Sequence, residues 1–358
     1  MKLYGGIQQI GVGVEDAGEA WNWYSRKLGF DIPLIDDSGI ADIMLRYTGG
    51  EPRRRRAILA LNLEGGGGLE IWQYLDRKPL SPGFEPRLGD LGVFAAKLKS
   101  SDLGAAFRSL GESALGLRLD PGRVGHFFLR DPFGTIFQAV SRSDRFTRTK
   151  SPVGGVCGAL IGVSDLEAAL SFYTTALGFD TLVYDVRGVF EDLAGLPGGE
   201  GSFRRALIAR SAPSAGPFSR LLGAGEIELF QALDRSPRRL FEERLWGDLG
   251  FIHLCFDVQG MEEFKRDSAA ASHPFTVDSD PEADSGRSAS FDMGTASGRF
   301  AYLEDPDGTL MELVETHRLP ILARLGWHLD LRGRNAAAPL PSWMLRLLGL
   351  GRKKASNR

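Results

Sequence analysis

The chain repeats itself, and an internal repeat restricts the possible folds more than any composition statistic. Val14-Glu15-Asp16-Ala17 opens a segment with apolar residues at Ala17, Ala20, Trp21, Tyr24 and Leu28, closed by Gly29-Phe30-Asp31. Val163-Ser164-Asp165-Leu166 opens a second, with Leu166, Ala169, Leu170, Tyr173 and Leu177, closed by Gly178-Phe179-Asp180. From Asp16 to Asp165, and for every other pair, the offset is 149. The spacing predicts an amphipathic helix in each segment, with Asp16 and Asp165 as N-caps and the glycine after leucine as C-cap.

Arg55-Arg56-Ala57-Ile58-Leu59-Ala60 mirrors Arg204-Arg205-Ala206-Leu207-Ile208-Ala209 at the same offset. Glu70-Ile71-Trp72-Gln73-Tyr74-Leu75-Asp76-Arg77 mirrors Glu228-Leu229-Phe230-Gln231-Ala232-Leu233-Asp234-Arg235 at an offset of 158, as Gly89-Asp90-Leu91-Gly92 mirrors Gly247-Asp248-Leu249-Gly250. Asp131-Pro132-Phe133-Gly134 mirrors Asp305-Pro306-Asp307-Gly308 at 174. The offset grows only across glycine- and serine-rich stretches, 211–225 and 276–298, where insertions cost little. The two halves are expected to share one fold.

Each half divides again into a strand, a helix and three further strands, the last two joined by a tight turn at the Asp-Pro-x-Gly sequences. The modules fall at about 7–75, 90–142, 155–234 and 249–316. The expected architecture is α+β, four βαβββ modules in two domains, 1–145 and 153–317, followed by a basic amphipathic tail at 318–358.

Charge and cysteine content exclude several function classes. Lys+Arg 43 against Asp+Glu 46 lacks the basic surplus of a general nucleic-acid binder. No apolar run approaches the roughly 20 residues that cross a bilayer, and the opening Met1-Lys2-Leu3-Tyr4-Gly5-Gly6 has no secretion-signal stretch. Cys157 and Cys255 make neither a disulfide framework nor a zinc-ribbon spacing, which suggests a reducing cytoplasm.

The strand-Asp-helix-Tyr-x3-Leu-Gly-Phe opening and the Asp-Pro-x-Gly-x3-Glu close resemble the vicinal oxygen chelate superfamily, which includes glyoxalase I, extradiol dioxygenases, fosfomycin-resistance enzymes and bleomycin-binding proteins. The resemblance covers about 1–317 and points to a fold that hosts several chemistries. It implies one divalent metal (zinc, nickel, iron or manganese) inside a cupped sheet, held by the first and last strands of two modules. By position, the first-strand candidates are Gln9, Ala95, Gly158 and His253, and the last-strand candidates are Glu70, Gln138, Glu228 and Glu312.

If the first module pairs with the fourth, Gln9, Glu70, His253 and Glu312 form a complete donor set of the types glyoxalase I uses. The remaining pair then offers Ala95, Gln138, Gly158 and Glu228, which cannot hold a metal. If modules pair within each half, two partial sites result instead; the crossed pairing is the simpler expectation.

By that resemblance the expected activity is a glyoxalase I-like isomerase or lyase. It would remove a proton next to a carbonyl, a metal stabilising the enediolate, with Glu312 as general base and Glu70 second. A glutathione thioester substrate follows from that analogy alone. The alternatives are a metal-free protein that binds or sequesters a small molecule, and a ring-cleaving or keto-acid dioxygenase. The latter's first iron-binding histidine would fall at Gly158, which counts against it.

Trp72 and Tyr74 share the face of Glu70 and are expected to line the cavity. The run Arg53-Arg54-Arg55-Arg56 suits either an anionic substrate arm or a solvated strand end, the latter because Arg204-Arg205 repeats it. Gly65-Gly66-Gly67-Gly68 lacks the Lys-Ser/Thr of a phosphate loop and reads as a hairpin turn. Ser272 to Gly298 suits a lid or a polar insertion. In the tail, Trp343, Met344, Leu347, Leu348 and Leu350 precede a basic end, suiting a membrane surface, a partner, or packing against the protein itself.

Overall fold

The computed structural model describes residues 1–280, 291–293, 296–322 and 327–353. The first module holds β1 (Leu3–Gly13), α1 (Ala17–Leu28), β2 (Ile32–Ala41), β3 (Arg53–Leu61) and β4 (Gly68–Tyr74). The second holds β5 (Gly92–Ser100), α2 (Leu103–Leu110), β6 (Ala114–Leu119), β7 (Gly125–Arg130) and β8 (Ile136–Ser141). The third holds β9 (Val156–Gly162), α3 (Leu166–Thr175), β10 (Thr181–Gly188), β11 (Phe203–Ala209), the short α4 (Ser219–Leu222) and β12 (Glu226–Ala232).

The fourth has β13 (Gly250–Gln259), α5 (Met261–Ala270), β14 (Val277–Asp278), β15 (Phe291–Met293), β16 (Ala296–Glu304) and β17 (Leu310–Leu322). After it come β18 (Trp327–Asp330) and α6 (Ser342–Leu347). Asp16 caps α1 through Gly18 and Glu19, and Asp165 caps α3 through Glu167 and Ala168. Gly29 (φ 76°) ends α1 in the left-handed region; Gly178 (φ 71°) takes the same conformation, although α3 itself stops at Thr175.

The strands form two sheets of an α+β fold, and neither sheet is a sequence half. One runs β14-β16-β17-β13-β1-β4-β3-β2, with β15 on β16 and β18 on β17, and joins modules one and four through the antiparallel β1–β13 pair. The other runs β10-β11-β12-β9-β5-β8-β7-β6 and joins modules two and three through β5–β9.

The repeated motifs explain this arrangement. Arg77 donates to Asp248 at 2.7 Å and Arg235 to Asp90 at 2.6 Å, so each Leu-Asp-Arg end is tied to the Gly-Asp-Leu-Gly turn that starts its partner module. The Tyr24 hydroxyl donates to Asp131 at 2.6 Å and that of Tyr173 to Asp305 at 3.0 Å. These buried hydrogen bonds clamp modules one to two and three to four. The sheets thus cross between the halves while the helices hold each half together.

Alternation separates the faces. Ile10, Val12, Leu254 and Phe256 enter the main core with Leu98, Ile161 and Leu229 of the other sheet, whereas the intervening Gln9, Gly11, His253 and Cys255 lie on the opposite, hollow side. Gly65–Gly67 sit in the β3–β4 connection and Gly68 opens β4; a Cβ on Gly66 (φ 109°) would come within 2.7 Å of the Gly155 carbonyl carbon. The tail packs on its own protein: Leu340, Met344, Leu345 and Leu348 are buried with Phe218, Leu221 and Leu222 of the third module and with Ile32 and Leu61 of the first. Trp343 and Leu350 stay exposed. No helix among the described residues is long and apolar enough to cross a membrane.

Candidate metal centre

Two first strands lie side by side at the middle of the larger sheet, flanked by the two last strands. The register sets Gly11 opposite His253 in β13 and beside Glu70 in β4, while Cys255 lies beside Glu312 in β17. The four side chains singled out by the crossed pairing therefore converge. His253 Nε2 lies 3.2 Å from Glu70 Oε2 and 3.1 Å from Glu312 Oε2; the Gln9 amide donates to the same two oxygens at 3.2 and 3.4 Å. His253 is fully buried, whereas the Glu70 side chain keeps 20% of its surface open and that of Glu312 8%. Gly11 makes the room: a Cβ there would sit 2.5 Å from His253 Cε1.

Burial opposes a charge on the imidazole, but the Glu312 and Glu70 carboxylates outweigh it and push the His253 pKa up to about 10. Burial likewise opposes ionisation of Glu70, and the neighbouring imidazolium, with Arg55 and Gln9 behind it, holds its carboxyl below the ordinary value. The donors fit a divalent cation. Around an ion about 2.1 Å from each nitrogen or oxygen, neighbouring donors stand roughly 3.0–3.4 Å apart, which is the spacing found here. The Gln9 amide presents its oxygen by a half-turn about its last torsion. Glu70, His253 and Glu312 are also the sole group of three or more histidine, cysteine or acidic donors with this spacing among the described residues.

Gln9, Glu70 and Glu312, with His253 buried behind them, form part of the wall of an open cavity. Its walls are mostly apolar: Leu34, Ile35, Met44, Leu59 and Trp72 from the first module, Phe218, Leu221 and Leu222 from the third, Phe300, Tyr302 and Val314 from the fourth, and Leu348 from the tail. Trp72 thus faces the cavity. Tyr74 does not: its hydroxyl donates to the Trp246 carbonyl and its ring packs edge-on against Trp72, so it supports the wall from behind.

Sequence reasoning missed Trp246 and Tyr302. The Trp246 ring lies 15° from parallel with the His253 ring at 6.3 Å, and the Tyr302 ring stands edge-on to it at 5.5 Å. Tyr302 was reachable through the Asp305-Pro306-Asp307-Gly308 hairpin, which sets it opposite Glu312. The Ser272–Gly298 stretch includes residues 281–290 and 294–295, which lie outside the described residues, as does the basic end from Lys354.

The matching position in the other sheet is built differently, and Arg205 corrects the sequence reading. Leu59 faces Glu70 and Leu207 faces Glu228, so the structure aligns Arg56 with Arg204 and Ala57 with Arg205. The match by letters alone is one residue out, and a one-residue slip turns a side chain to the opposite face. Arg205 is not at a solvated strand end. It is fully buried, paired with Glu228, and 2.7 Å from Asp192.

Lys97 Nζ lies 2.7 Å from Glu228 and the Tyr184 hydroxyl donates to it at 2.6 Å. Burial disfavours the Glu228 charge, yet Arg205 and Lys97 hold its carboxyl well below the usual range. Ala95 and Leu160, opposite each other, take the places of His253 and Gly11. In one sheet Ala57 leaves space before the carboxylates; in the other, Arg205 fills it with a permanent cation. Arg55 and Arg56 are tied to Asp37 and Asp36 at 2.8 and 2.9 Å.

Residues 156–313 match the family model of the Glyoxalase/Bleomycin resistance protein/Dioxygenase superfamily. That match spans the second half of the chain. The first half repeats its modules and carries the same fold. Among solved structures, a single-site mutant of glyoxalase I from Zea mays is 14% identical over 88% of this chain and 92% of that chain, with a TM-score of 0.50. A putative dioxygenase from Bacillus subtilis subsp. subtilis str. 168 is 13% identical over 88% of this chain and 86% of that chain, with a TM-score of 0.53. At such identity the likeness is one of fold, which the superfamily uses for more than one reaction. No curated protein matches the chain.

Proposed function

We propose that the protein is a divalent-metal-dependent enzyme of glyoxalase I type, an isomerase or lyase that removes a proton next to a carbonyl. The observation that carries this reading is the convergence of Gln9, Glu70, His253 and Glu312 on one face of an apolar cavity. Bound there, a divalent cation would supply a Lewis acid that polarises the carbonyl. The chain's own residues do the rest. The apolar walls exclude water and hold the substrate body, while the burial of His253 fixes its ring against Trp246.

Glu312 is the proposed base and Glu70 the alternative, since both carboxylates line the cavity. Substitution to glutamine separates the roles. Glu312→Gln should keep stoichiometric metal and lose exchange of the substrate's α-hydrogen with solvent deuterium by about a hundredfold or more, whereas Glu70→Gln should chiefly weaken metal binding. Proton NMR in deuterated buffer and elemental analysis read the two effects; the reverse pattern reassigns the base to Glu70.

The raised pKa of His253 predicts the pH dependence of loading. In the metal-free protein its imidazole stays protonated through neutral pH, so a cation must displace one proton. Affinity measured against a competing chelator should rise about tenfold per pH unit from pH 6 to 9. For folding of the metal-free form the sign is opposite. The imidazolium's stabilisation is fully present below about pH 6.5 and is lost as pH rises through about 10.

The same imidazolium supports a second reading. Protonated, with Nε2 between two carboxylates, His253 has its charge balanced without a cation, and the cavity then serves a metal-free binding protein. Elemental analysis of the purified protein decides: absence of a stoichiometric divalent ion after reconstitution with zinc, nickel, iron or manganese would remove the enzyme reading.

A further inference from the structure

The charges in the cavity wall constrain the substrate, an inference that rests on the proposed function of this site. Among the described residues that line it, Arg55 is the one arginine or lysine, and its guanidinium is already paired with Asp37 at 2.8 Å. Against it stand Asp37, Asp42, Glu70 and Glu312. Even with a divalent cation between Glu70 and Glu312, acidic charge exceeds basic by one. A substrate carboxylate would enter a low-dielectric cleft of its own sign with no free arginine or lysine among these residues to receive it. Trp246 in the wall also carries a buried indole N–H that has no hydrogen-bond partner among the described residues.

We infer that the site takes an uncharged, largely apolar carbonyl compound and discriminates against anionic ones, including thiol conjugates that carry carboxylates. The walls around Leu34, Met44, Phe218, Leu222 and Leu348 hold an aromatic or branched aliphatic body, and the carbonyl oxygen lies toward the Gln9–Glu70–His253–Glu312 cluster.

A matched pair of ligands tests this. Methyl benzoylformate and benzoylformate share one body and differ by one negative charge, and S-hexylglutathione is an apolar chain on a carboxylate-bearing thiol conjugate. Isothermal titration should show the neutral ester binding at least about tenfold tighter than either anion, in both metal-free and metal-loaded protein. Equal or tighter binding of benzoylformate or S-hexylglutathione overturns the proposal. Leu59→Lys, on the half-exposed strand position facing Glu70, places an ammonium in the wall and should shrink the preference by about tenfold with an unchanged circular-dichroism spectrum. An unchanged ratio in that variant also overturns it. If metal analysis finds no cation but the neutral preference holds, the proposed function falls while this inference stands. The opposite result removes the inference alone.

Discussion

Replacing His253 by alanine is expected to abolish metal retention, weakening affinity by more than the 10–100-fold that loss of a hydrogen bond to a ligand typically costs. The imidazole would be the one nitrogen ligand of the proposed site; it is fully buried and in contact with both carboxylates, so no water-filled alternative replaces it without leaving two acids facing each other. Removing it leaves Glu70 and Glu312 in mutual repulsion. Dialysis against a weak chelator followed by elemental analysis reads the loss. Retention of a full equivalent of metal by His253→Ala would show that the convergence at β1 and β13 is not a metal site.

Glu228→Ala is expected to do the reverse: leave metal content untouched and destabilise the fold by about 3–5 kcal/mol, because Lys97 and Arg205 would remain buried without their shared partner. Urea denaturation reads the cost. The pH dependence follows from the lowered carboxyl pKa. The stabilisation is present above the ordinary glutamate value of about 4.5 and is lost as pH falls below it, so acid should unfold the wild type more steeply than the variant. Metal loss in Glu228→Ala would place the functional centre in the other sheet. Together the two substitutions separate a cluster neutralised by exchangeable ions from one neutralised by the chain's own cations.

Much of this was legible in the residues. The offsets between the mirrored motifs define four modules, and strand alternation places Gln9, Glu70, His253 and Glu312 where one face can collect them. The Tyr-Asp pairs were visible as repeated letters, but their work as clamps was not. Tyr24 and Asp131 lie far apart in sequence, and no local pattern states that they meet. Tyr74 shares the parity of Trp72 yet misses the cavity because its hydroxyl reaches the Trp246 carbonyl. Parity assigns a face of the sheet, and only the packing above it decides what that face meets.

The sequence by itself determined the module, its helix caps and turns, and the chemical kind of residue at each strand position, since these depend on neighbours a few residues apart. Tertiary structure decided which modules join and which carboxylate is left open. Arg77 can satisfy either Asp90 or Asp248 by chemistry alone, and only the closed sheet selects Asp248. Both sheets pair these strands in the same register, Leu59 with Glu70 and Leu207 with Glu228, so Ala57 and Arg205 occupy one place that the match by letters puts one residue out. The physical reason is that strand pairing is a contact between distant segments, and its register follows from the packing of both faces, which no stretch of sequence contains.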